Sequence, residues 1–133
     1  MNLLTLTYNE LLKEYSYFIS PTAPSNCHIL DFKNYSDIKI EGNYILFIGC
    51  VWYGADVSMA SSLGDIAPNY PNLKFYFKLI LAENELESAV PKEIPLEKLP
   101  IILIINHLQP TIVSTGVISR DELNNKILKL SQS

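Results

Sequence analysis

Cysteine is scarce. Cys27 and Cys50 are the only two in 133 residues, too few for the disulfide framework that staples small secreted domains. No His, Cys, Asp and Glu residues fall at the spacing of a zinc site, so no metal or other cofactor is expected. Positive charge is thin and scattered: ten Lys and Arg stand against fourteen Asp and Glu, a net charge of -4. A nucleic-acid binder gathers a basic stripe to neutralise phosphates, and none is visible. Long apolar runs are also missing. The longest aliphatic stretch, "LPIILII" from Leu99 to Ile105, has the length of a strand and falls well short of a membrane span. The opening "MNLLTLTYNELLKEY" has no basic n-region and no small-residue cleavage site, so no signal peptide is expected. The expectation is a soluble cytoplasmic protein with no nucleic-acid and no membrane partner.

What is present is enough apolar material for a core: 48% of residues are hydrophobic and 18% charged. A chain of this length suits one domain that buries roughly two-thirds of its unfolded surface. "TYNELLKEYSYFI" opens on a capping-box pattern, Thr7 with Glu10 three residues later. Leu11, Leu12, Tyr15, Phe18 and Ile19 fall on one helical face. "SPTAPSN" then stops that helix, since its prolines remove donors and restrict their neighbours. Residues 1–27 therefore read as a helical extension with a short stiff linker, and 28–133 as the main domain.

In that domain "HILDF" is a short strand, "NYSDIK" a brief helical turn and "EGN" a turn. "YILFIGCV" has no polar alternation and reads as a central strand buried on both faces. A helix is expected from Asp56 to about Ala67 with Asp56 as its N-cap, ended by "PNYPN". "LKFYFKLIL" is a second central strand, and the acidic, proline-interrupted segment after it holds at most a short helix. "PIILII" and "TIVSTGV" form an antiparallel hairpin, and Ser119 caps a last helix whose Leu123, Ile127 and Leu130 face the sheet. Apolar strands separated by helices call for an α/β fold with a mixed sheet covered on both faces.

From about His28 to Leu128 this order resembles the thioredoxin family. "YILFIGCVWYGAD" is similar to the strand that runs into that family's Trp-Cys-Gly-Pro-Cys turn, with Trp52 on the tryptophan and Gly54 on the glycine. Ile66, Ala67, Tyr70, Lys78, Leu79 and Asn84 keep register with the following helix end and strand. Pro100 falls on the family's cis-proline, and Gly116, Ser119 and Leu123 on its closing glycine and last helix. The resemblance implies a thioredoxin-like fold, a central mixed sheet flanked by helices on both faces, preceded here by the N-terminal helical extension.

The chemistry departs from that family. Tyr53 stands at the attacking cysteine, Asp56 at the resolving one, and Phe47 at the buried carboxylate beneath the pair. Exchange needs a thiolate to attack and a second sulfur to resolve the mixed disulfide, and neither a phenol nor a carboxylate supplies one. The resemblance thus implies a non-catalytic interaction or adaptor module. Its groove would take a partner's extended chain at Trp52, Tyr53, Gly54, Asp56, Leu99, Pro100 and Gly116. The alternative is a weak single-cysteine redox protein working through Cys50, against the plainer reading of Cys50 as a small buried apolar side chain. Cys27 opens the first strand and Cys50 closes the second, so a bond between them is not expected. His28 and His107 read as surface or edge residues. "ENELES" reads as a solvated loop without the glycine turn of a calcium site. A homodimer through the N-terminal helix is a further reading.

Overall fold

The computed structural model describes residues 26–131, apart from 31, 33, 41, 51–53, 81–82, 96–97 and 108. The expected N-terminal helix, and the dimer built on it, lie outside these residues. Within them the chain runs β1 (Cys27–Ile29), β2 (Asn43–Cys50), α1 (Gly54–Ile66), β3 (Lys74–Ile80), α2 (Leu86–Ala89), β4 (Ile101–Asn106), β5 (Gln109–Thr115) and α3 (Arg120–Ser131). The five strands form one sheet in the order β1-β3-β2-β4-β5. β1 and β2 both run parallel to β3, β4 is antiparallel to β2, and β5 is antiparallel to β4.

β2 shows why its sequence lacks alternation. Every residue from Tyr44 to Cys50 is buried, because apolar layers cover both sides of the sheet. One layer joins Ile45 and Phe47 to Met59, Leu63, Leu123 and Ile127 of α1 and α3. The other joins Tyr44, Leu46, Ile48 and Cys50 to Phe32, Ala89, Val90 and Ile94. Long helices thus cover one face, while short turns and α2 cover the other. The expected "NYSDIK" turn is a 3-10 turn, Tyr35–Asp37, and another, Ala67–Asn69, carries the "PN" that ends α1.

Several expected boundaries move. β1 spans Cys27–Ile29 where the sequence suggests His28–Phe32. α1 begins at Gly54, so Asp56 lies inside the first turn and is not the N-cap. Its carboxylate is engaged elsewhere, as described below. β5 begins at Gln109, two residues before the expected Thr111, and includes Pro110. A proline without an N–H is tolerated there because β5 is an edge strand. The Asn106–Gln109 pair closes a two-residue hairpin loop, entered by His107 in the left-handed region at φ 51.

Candidate functional site

The C-terminal end of β2 is where strand hands over to helix, and Asp56 ties the two together. Its Oδ2 accepts the backbone N–H of Cys50 at 2.7 Å, a short charge-assisted bond that anchors the first turn of α1 to the last residue of β2. Asp56 is 4% exposed. Burial pushes its carboxyl above the ordinary range, and the Cys50 N–H pulls partly back. The approach needs room, and Gly49 supplies it. A Cβ there would stand 2.7 Å from the Phe47 ring and 3.2 Å from the Asp56 Cβ. The side chain missing from Gly49 is what lets the ring and the carboxylate close over the strand.

Cys50 belongs to the other face. Its side chain packs in the layer with Ile48, Ile80 and Ile101, away from α1. It is free and 1% exposed. Burial, followed by the nearby Asp56 charge, pushes its thiol up to about 12. Cys27 is also free, at the opposite end of the parallel β1–β3–β2 set; burial pushes its thiol up to about 11.

Beside this end of β2 lies the loop entering β4. The Leu99–Pro100 peptide is cis. Pairing of β2 with β4 ends at Ile48–Ile101, and that register continued by one residue sets Pro100 beside Gly49. Pro100 is buried and Leu99 partly so. Gly116 closes the loop, its N–H shared between the Lys98 and Pro100 carbonyl oxygens at 3.0 and 2.8 Å. Its φ of 70 belongs to the left-handed region that favours glycine. Leu99, Pro100 and Gly116 are therefore neighbours, and Asp56 meets the same strand end through Gly49 and Cys50. Trp52 and Tyr53 lie outside the described residues.

A search with family models finds no match, and no curated protein matches either. Among solved structures, the chain is similar to a thioredoxin from Trypanosoma brucei brucei. The superposition has a TM-score of 0.57 at 18% identity and covers 86% of this chain and 97% of that one. The fold is thioredoxin-like. In this thioredoxin-like frame β2, α1 and the Pro100 loop are the elements that the sequence resemblance singled out.

The histidines stay apart from that end. His28 is exposed on β1 with its ring 5.4 Å from that of Tyr76. His107 is exposed in the β4–β5 turn, its backbone N–H donating to the Gly42 carbonyl oxygen. No cluster among the described residues could hold a metal ion, and no helix among them is long and apolar enough to cross a membrane. The acidic segment becomes the 3-10 turn Glu83–Glu85 and α2, with Glu83 and Glu87 exposed. Sequence reasoning missed Gly49, although a glycine inside an otherwise apolar strand is a signal of close approach. It also missed Asn26, which in the sequence is only the last residue of the helix-stopping stretch "SPTAPSN".

Proposed function

We propose that this chain is a non-catalytic thioredoxin-fold protein that binds an extended segment of a partner protein. The binding surface is the end of the sheet formed by Trp52, Tyr53, Gly54, Asp56, Leu99, Pro100 and Gly116. The observation that carries this reading is the Asp56–Cys50 bond. Where an exchange site needs a resolving sulfur, a buried carboxylate is committed to a backbone N–H. The nearby thiol at Cys50 faces the other layer and stays protonated at neutral pH, and a thiol without its thiolate is a poor nucleophile. What supports the binding half of the reading is that a strand end, a helix start and a proline loop lie side by side, a setting suited to peptide capture by pockets and backbone groups.

Two measurements test the proposal. Dithiothreitol-driven insulin reduction is expected to proceed no faster with the protein than without it, and acceleration would remove the non-catalytic half. Peptides selected from a randomised library are expected to shift the backbone amides of Gly54, Leu99 and Gly116 in NMR titrations. They should bind the Leu99→Asp variant at least tenfold more weakly. Equal binding by both forms would remove the surface.

A further inference from the structure

Glycine is a poor choice inside a strand, because it adds freedom to the unfolded chain and leaves nothing to pack. Gly49 nevertheless sits one residue from the end of β2, paired with Leu79 in the unbroken parallel register. No turn asks for it, since the left-handed backbone values among the described residues belong to Gly42, His107 and Gly116. What asks for it is space. A Cβ there would stand 2.7 and 2.8 Å from Phe47 Cζ and Cε1, and 3.2 Å from the Asp56 Cβ. Phe47 is fully buried, with its ring tilted 5.9 Å from that of Phe77, in the layer that holds Met59 and Leu63 of α1. That ring can withdraw only by disturbing close packing. Asp56 stands in the first turn of α1 and reaches the Cys50 N–H at 2.7 Å. Carbon atoms in ordinary contact lie about 3.5–4.0 Å apart, so a side chain at 49 would push that turn back by a few tenths of an ångström.

We propose that Gly49 is a positioning residue: its missing side chain lets the first turn of α1 seat directly on β2, which sets the gap between Gly54 and the Pro100 loop that a partner segment must span. The seat stands on the distances alone; its use for binding rests on the peptide reading above. Gly49 itself is not a contact for the partner. It acts through Asp56 on one side, and lies beside Pro100 on the other by the β2–β4 register.

Three variants separate this role from a merely structural one. Gly49→Ala alone sets a Cβ against both the ring and the helix, and is expected to lower the urea midpoint. Phe47→Leu removes the outer ring atoms, and is expected to bind the selected peptides as the wild type does. Gly49→Ala/Phe47→Leu relieves the ring and keeps the crowding at Asp56. Its urea midpoint is expected near that of Phe47→Leu, while its peptide affinity stays at least about threefold weaker, because the surface is no longer preorganised. The Cys50 amide proton is expected to move upfield in the double variant relative to Phe47→Leu, as its bond to Asp56 lengthens. A double variant that binds peptide as well as Phe47→Leu overturns the positioning role, and an unmoved Cys50 amide proton overturns the seat. A wild type that captures no peptide removes the peptide reading, and with it the use of the seat for binding; the amide shift then decides the seat.

Discussion

At the scale of single residues, the two ends of the sulfur question can be measured. A thiol held at about 11 has about one molecule in a thousand ionised at pH 8, and only the thiolate alkylates. Native Cys27, partly exposed, is expected to react with iodoacetamide about a hundredfold more slowly than in urea-unfolded protein. Cys50 is expected to react only as the chain opens. A stable glutathione adduct on native Cys50, seen by mass spectrometry, would instead favour the single-cysteine redox reading. Asp56 gives a second test, in which the sign is decisive. Its folded-state value lies above the ordinary carboxylate value, so the folded state holds the proton more tightly. Stability from this group is therefore full at low pH and is lost as pH rises through the folded value. Asp56→Asn keeps an oxygen for the Cys50 N–H and cannot titrate. Urea midpoints compared from pH 7 down to pH 4 are expected to shift in the wild type's favour relative to this variant; a constant gap would contradict the buried-charge account.

At the scale of elements, α3 shows which of its terminal contacts matters. Ser119 Oγ accepts the Glu122 N–H at 3.1 Å, which satisfies one of the orphan donors of the first turn. Arg120 reaches Asp65 of α1 at 2.7 Å, but both side chains are more than half exposed, at 57% and 52%. Solvent screening leaves such a pair little net effect. Ser119→Ala is expected to cost about 1 kcal/mol in urea unfolding, and Arg120→Ala at most a few tenths, shrinking further in salt. The reverse order would mean that the bridge, not the cap, holds α3 to α1. The serine was legible in the sequence because capping is local: one side chain, three residues, one donor. The same locality explains the burial of Leu123 and Ile127 and the continuous apolar reading of β2. Asp56 misled for a complementary reason. An aspartate ahead of a helix invites a capping role, but its oxygen bonds a strand donor six residues back, a choice made by the fold. Pro110 misled likewise, because only the strand order reveals that β5 is an edge where a missing N–H costs nothing.

At the scale of the whole molecule, the contact least visible in the sequence joins parts of the chain more than forty residues apart. Asn26, 8% exposed just ahead of β1, points its Nδ2 at the carbonyl oxygens of Ala67, Tyr70 and Leu73, each at 3.0 Å. Its backbone carbonyl oxygen accepts the Phe75 N–H at 2.7 Å. One amide with two hydrogens thus holds the end of α1 and the entry to β3 against the first strand, across more than forty residues. Every acceptor is main chain, so no side-chain pattern announces the clamp. Asn26→Ala removes the Nδ2 donor that ties the three segments, although the Ala67 and Tyr70 carbonyl oxygens keep the N–H groups of Tyr70 and Leu73, and is expected to cost about 1 kcal/mol. Asn26→Asp is more discriminating, because it sets a carboxylate against three carbonyl oxygens. Repulsion and burial would raise its folded-state value, so its penalty grows with pH and is relieved as the group protonates and recovers one O–H donor. Referred to wild type at each pH, urea midpoints are expected to place Asn26→Asp below Asn26→Ala at pH 7 and close to or above it at pH 4. If the two variants keep the same separation at both pH values, the Nδ2 donor is not what binds these three segments together.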